Sequence, residues 1–209
     1  AARNRELLTK VAEAENELGH SVEVESFDQG EESSVLALCE RVMSRHGRVD
    51  GLVNNAVLRP MEGWHDPLEH WAKSMQVNAT GLFAMLRTFG ATMAKRGSGS
   101  IVNISSIQGM VGPNLSLYEG TSIQTLPDYF FHKGGMLNLT RYFAAQLGPQ
   151  GVRANCVSPG GFYNDHDPVF VQRYAQMTML GRMACATDLG GAIIFLLSDA
   201  SAYVTGVNL

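Results

Sequence analysis

The 209-residue chain is 45% apolar and 17% charged, which is ample material for one buried core, and a single domain over residues 1–209 is expected. A formal net charge of −4, with no lysine/arginine block, gives nucleic-acid binding no electrostatic support. The longest apolar run, Ala192–Leu197, is too short to span a bilayer, no signal peptide is expected, and Cys39, Cys156 and Cys185 form no metal or redox spacing, so a reduced, cytoplasmic protein is expected.

Leu7, Leu8, Val11, Ala14 and Leu18 form a helical stripe over Arg5–Leu18, closed by Gly19. Ser21–Phe27 alternates apolar and polar residues and reads as a strand ending at Asp28, followed by a helix over Glu32–His46 that stops at Gly47. Val49–Val53 reads as a strand leading into Asn54-Asn55. Asp66-Pro67-Leu68-Glu69 has the cap, first-turn proline and acid of a helix start. That helix is expected to reach about Lys95, bent around Asn78 and Gly81. Ile101–Ile104 is a short β-branched strand ending in the hydroxyl pair Ser105-Ser106.

A long loop, Gly109–Pro127, separates this strand from a helix over Tyr129–Leu147, which ends at Gly148-Pro149. Val152–Val157 is the next strand, Pro159–Asn164 a loop, and Phe170–Gln176 and Thr187–Leu197 are helices. Strands alternating with helices imply an α/β fold with a doubly wound parallel sheet.

In such sheets ligands bind beyond the carboxyl ends of the strands. Asp28, Asn55, Ser106 and the Pro159-Gly160 loop each follow an expected strand and should converge on one crevice. Tyr129 and Lys133 share a helix face at i and i+4, and an ammonium beside a phenol stabilises the phenolate, giving a proton donor usable near neutral pH. The competing readings are plainer. Asp28 can be a turn cap, Asn54-Asn55 a structural turn with Asn54 the structural member, and Asn78 a buried amide bonded to backbone. The histidines show no metal-ligand spacing, and no metal is expected.

Leu52-Val53-Asn54-Asn55-Ala56, Asn78, Asn103-Ile104-Ser105-Ser106, Tyr129 with Lys133, Arg153-Ala154-Asn155 and Ser158-Pro159-Gly160 occur in one order. This series resembles the short-chain dehydrogenase/reductase family over essentially the whole chain. The resemblance implies a Rossmann-like fold and a nicotinamide dinucleotide cofactor. It makes Ser106, Tyr129 and Lys133 catalytic, with Asn78 as a relay residue, and places the cofactor against Asp28, Asn55, Ala56, Tyr129, Lys133, Pro159, Gly160 and Phe162. Ala2 where an NAD-selecting acid would lie, followed by Arg3, favours NADP, with NAD possible. Tyr118 lies nearer Ser106 than Tyr129 does, but Ser122 occupies its i+4 position.

The implied activity is oxidation of a secondary alcohol or reduction of a ketone on a small, sugar-like or otherwise polar molecule. A 3-oxoacyl-thioester reductase and a non-catalytic binding protein are the alternatives. The resemblance also suggests homodimers or homotetramers packed through the helices at Asp66–Lys95 and Tyr129–Leu147. Two departures stand out: Val57 replaces the family's usual glycine, and Asn114–Asp128 is inserted before Tyr129. The latter, with Asn164–Arg173, resembles a subgroup associated with bacterial surface-sugar and flagellin-glycan biosynthesis. No glycine-rich turn occurs near Ala1, so the first strand, the phosphate loop and most of the second strand are expected to be missing from a chain cut short at both ends. Since the family's first strand lies between them, a gap is expected between Ser21–Phe27 and Val49–Val53.

Overall fold

The computed structural model describes all 209 residues. Its centre is a parallel sheet of β1 (Gly51–Asn54), β2 (Gly99–Ile104) and β3 (Val152–Val157) in that spatial order. Gly51 lies opposite Ser100, and Gly99 opposite Val152. Ser100 through Ser105 are all buried, because helices cover both faces of β2 and leave no side for polar alternation. On one face α4 (Leu82–Arg96) and α5 (Pro127–Leu147) pack Leu86, Met93, Met136 and Phe143 against Ile101 and Ala154. On the other, α7 (Gly190–Leu197) packs Leu196 against Val102, Ile104 and Val157. Burying side chains of this kind contributes about 1.5–3 kcal/mol each.

Two further helices precede β1 in the chain. α1 spans Arg5–Glu17, and α2 spans Glu32–His46, whose Val35, Leu38 and Cys39 meet Ala84, Met85 and Phe89 of α4. The left-handed backbone at Gly47 and Gly97 ends α2 and α4, Gly47 being the glycine that reads as a stop. α6 spans Pro168–Met177 and carries its N-cap on Asp167, which accepts from Val169 N at 2.8 Å.

The long helix expected over Asp66–Lys95 is α3 (Leu68–Met75), a π-helical stretch Gln76–Gly81, then α4. The bend falls where Asn78 and Gly81 placed it. Gly81 is required there, since a Cβ would overlap the carbonyl oxygen of Gln29. Asp66 is not the cap: Pro67 takes that position, and the Asp66 carboxylate turns back to accept from Glu62 N and approach His70.

The expected strand Ser21–Phe27 does not form. Only Ser26 makes a bridge, parallel to Ala2, because no full neighbouring strand offers it a ladder. It does not pair with β1, whose only partner is β2. A cavity of about 510 Å³ separates them, lined by Ala2, Glu25, Phe27, Leu52 and Val53. The chain's last residues run beside β3, where Cys156 bridges Asn208.

Candidate active site

The carboxyl ends of the three strands deliver Asn55, Ser105-Ser106 and the Pro159–Phe162 loop to one side of the sheet. α5 crosses this side and is stitched to β2 at two points. Ser105 Oγ donates to the Lys133 carbonyl at 2.8 Å, and Lys133 Nζ donates to the Ile104 carbonyl at 2.5 Å. Gly109 permits this approach, since a Cβ there would lie 2.6 Å from the Lys133 backbone. These ties fix the rotation of α5, so Tyr129 and Lys133 face the strand ends together. Lys133 Nζ lies 5.5 Å from the centre of the Tyr129 ring.

Ser106, Tyr129, Lys133, Asn55, Pro159, Gly160 and Phe162 line one cavity of about 680 Å³. Ala56 lines the neighbouring 510 Å³ cavity, and Asn55 touches both. Asn54 is structural: its Nδ2 donates to Asn103 Oδ1 at 2.8 Å beneath the site, and Asn103 in turn donates to Thr140 Oγ1 at 2.8 Å. Asp28 lies outside both cavities, and its carboxylate caps a turn by accepting from Gly30 N at 2.8 Å. Arg3 is exposed beside the Ala2–Ser26 bridge, its carbonyl accepting from Ser26 Oγ, and its side chain does not reach the crevice.

Asn78 is buried just behind the cavity. Its Oδ1 accepts from Leu58 N at 2.8 Å, and its Nδ2 donates to Leu58 O at 2.7 Å and to Ser74 Oγ at 3.0 Å. Ser74 Oγ donates onward to Asp128 Oδ2 at 2.5 Å. A buried polar chain, Asn78–Ser74–Asp128, therefore runs from the loop after β1 to the residue before Tyr129. Asp128 Oδ1 and both ring nitrogens of His132 are buried without partners.

Burial sets the electrostatics. It pulls the Lys133 ammonium down to about 8, with Cys156 opposing the shift and the Arg59 charge adding to it. Burial also pulls His132 down to about 3, helped by Lys133 and Arg59, so this imidazole is neutral across the physiological range. Tyr118 lines the same cavity and accepts from Gln108 Nε2 at 3.3 Å. Its burial pushes the phenol up, away from proton transfer near neutral pH. Ser74, Asp128 and Arg59 escaped the sequence reading, although Asp128 and His132 repeat the i, i+4 spacing of Tyr129 and Lys133 one residue earlier.

Such a site, on strand ends beside a tyrosine–lysine helix, invites comparison with known dehydrogenases. The family described as Enoyl-(Acyl carrier protein) reductase matches residues 1–209. The chain belongs to the short-chain dehydrogenase/reductase family. It is 36% identical over 171 residues to 2-(S)-hydroxypropyl-CoM dehydrogenase 3 of Xanthobacter autotrophicus, covering 77% of this chain and 63% of that one. The chain thus spans less than two thirds of that relative's length. It is 33% identical over 191 residues to the L-rhamnose 1-dehydrogenase (NAD(P)(+)) of Azotobacter vinelandii, covering 88% and 69%. Among short-chain dehydrogenase structures, an NAD+-bound xylitol dehydrogenase superposes with a TM-score of 0.88 at 27% identity, covering 100% of this chain and 86% of that one. The Rossmann-like parallel sheet is common to them.

Proposed function

We propose that this site interconverts a secondary alcohol and a ketone on a small polar molecule, with a nicotinamide dinucleotide as redox partner. The observation that carries the reading is the convergence of Ser106, Tyr129 and Lys133 on one cavity at the carboxyl ends of three parallel strands. The relatives named for L-rhamnose and xylitol favour a hydroxyl-bearing substrate, as do Gln124, Thr125 and Asn164 in the cavity wall.

The residues present fit a nicotinamide group. Asn55, Pro159, Gly160 and Phe162 form walls beside Tyr129 and Lys133, and a side chain on Gly160 would crowd the Tyr174 hydroxyl at 3.1 Å. When bound, that group supplies or accepts the hydride. Ser106 Oγ, held at the start of the turn where it accepts from Gln108 N at 3.1 Å, orients the substrate oxygen. The Tyr129 hydroxyl gives that oxygen its proton during reduction and takes it back during oxidation. The Lys133 charge stabilises the phenoxide left behind, and its ammonium is placed to hold the cofactor ribose. Asn78 holds the loop after β1 in place through its paired bonds to Leu58 and, through Ser74, steadies Asp128 beside Tyr129.

The same reading assigns NADP ahead of NAD, because Ala2 stands where an NAD-selecting acid would lie; Arg3, outside both cavities, carries none of this assignment. It also assigns a homo-oligomer, packed through the exposed Phe83 of α4 and the exposed Phe131 and Tyr142 of α5. The test is NAD(P)-linked turnover across a panel of secondary alcohols and ketones. Lys133→Met should lower both turnover and cofactor affinity, whereas Ser106→Ala should lower turnover with little change in cofactor affinity. Turnover confined to 3-oxoacyl thioesters, or turnover indifferent to both substitutions, would contradict the proposal.

A further inference from the structure

The chain's exposed arginines are mostly committed to carboxylates. Arg41 pairs with Glu25, Arg45 with Glu23, Arg48 and Arg96 with Asp50, Arg87 with Glu32, and Arg182 with Asp188. Arg59, like Arg3, Arg5 and Arg141, has no such partner. It stands instead in the wall of the 680 Å³ cavity, its guanidinium carbon 4.6 Å from the centre of the Tyr129 ring. No aspartate or glutamate lines that cavity. Its other cation, Lys133, is anchored on the Ile104 carbonyl, so the wall carries positive charge that nothing in the chain balances. Arg59 acts on both Lys133 and His132 as a cation that disfavours their protonation.

We propose that Arg59 recognises a carboxylate on the substrate, so that this site works on hydroxy acids and their oxo counterparts. The inference rests on the alcohol–ketone reading of the same site. The planar guanidinium presents paired N–H donors that match a carboxylate in two-point fashion. The guanidinium carbon lies over the Tyr129 ring, 4.6 Å from its centre, which sets the fork beside the residue that meets the reacting oxygen and puts the acid group near the carbon that changes oxidation state. Lys133 is tied to the Ile104 carbonyl and given to the cofactor ribose, so Arg59 is the cation left for the substrate, and a singly charged carboxylate matches its one charge. The apolar lining contributed by Ile123, Leu126 and Ile193 accommodates the carbon skeleton between the two polar ends.

The experiment pairs each of a panel of hydroxy acids, gluconate among them, with its primary amide, which keeps the shape and removes the charge. Turnover and calorimetric binding, the latter with and without oxidised cofactor, are measured for the wild type, Arg59→Gln and Arg59→Lys. For the best acid, the wild type should prefer acid over amide by about ten- to a hundredfold in kcat/KM, the scale of a charge-assisted contact. In Arg59→Gln that ratio should collapse towards one in both turnover and binding, and Arg59→Lys should restore part of it. Cofactor affinity should stay within about twofold in both variants, well inside the shift expected from losing a charge-assisted contact. A wild type in which no acid exceeds its amide would overturn the assignment. So would an Arg59→Gln variant that loses cofactor affinity but keeps the acid preference. Absence of turnover with intact, Arg59-dependent acid binding would instead sink the dehydrogenase reading and leave the carboxylate site standing.

Discussion

Ser74 joins the loop after β1 to α5 by a single hydroxyl, so Ser74→Ala isolates what that junction contributes. The side chain is fully buried, accepts from Asn78 Nδ2 at 3.0 Å and donates to Asp128 Oδ2 at 2.5 Å. Asn78 keeps both bonds to Leu58 when the hydroxyl is removed, so its loss is small. Asp128 has no such reserve, because its Oδ1 is already without a partner and Ser74 is its only side-chain donor. Leaving a buried polar group unsatisfied costs about 1–3 kcal/mol, and more for an acidic one, so about 3 kcal/mol is expected. In a domain of this size that corresponds to a fall in Tm of about 6–12 °C. Thermal and urea unfolding followed by circular dichroism measure it directly. The reasoning also fixes the coupling: Ser74→Ala and Asp128→Ala should be non-additive by at least about 1 kcal/mol, since either alone breaks the same contact. A Ser74→Ala loss below about 0.5 kcal/mol, typical of substitutions away from such features, or strict additivity in the cycle, would refute this account of the network.

Two further predictions concern α5. His132 has its pKa lowered from 6.5 to about 3, so between those values the unfolded chain binds a proton that the folded chain does not, and the stability His132 contributes is present above 6.5 and lost as pH falls towards 3. His132→Leu should therefore flatten the acid limb of the stability profile, and an unchanged limb in urea titrations at pH 4 and 7 would count against the burial argument. The exposed aromatics Phe83 of α4 and Phe131 and Tyr142 of α5 should mediate self-association, so the wild type should sediment as a dimer or tetramer at micromolar concentration and Tyr142→Glu should shift it towards monomer. A wild-type monomer would contradict that assignment.

Much of the architecture was legible because it is written in local punctuation. α2 ends where Gly47 adopts a left-handed conformation, and β3 is the segment Val152–Val157, bounded by Gly151 and Ser158. The bend around Asn78 and Gly81 was likewise visible, since neither residue favours a regular helix interior. Ser21–Phe27 misled because alternation reports a half-buried extended segment and not its hydrogen-bond partners. Only Ser26 finds one. Asp66 misled in the same way, its short side chain having a nearer backbone donor in Glu62.

At the site, the Tyr129–Lys133 pair was readable from spacing, since both residues ride one helix. Arg59 was not, because its place over the Tyr129 ring depends on how the loop after β1 packs on α5, seventy positions along the chain. The Ser74–Asp128 contact is hidden for the same reason, joining residues 54 positions apart. Asp28 shows the converse: a position after an extended segment suggested a ligand contact, and the carboxylate instead closes its own turn onto Gly30.

The central claim is that Tyr129, and not the nearby Tyr118, moves the proton. Both phenols line the same cavity, but only Tyr129 has the Lys133 ammonium beside its ring, while Tyr118 is pushed up by burial and bonded to Gln108. NADPH-linked ketone reduction by Tyr129→Phe and Tyr118→Phe, compared side by side with the wild type, separates the two. Turnover should fall by about 10²–10⁴-fold in Tyr129→Phe, the scale of general acid–base catalysis, and by less than about tenfold in Tyr118→Phe. An active Tyr129→Phe beside an inactive Tyr118→Phe would contradict the account.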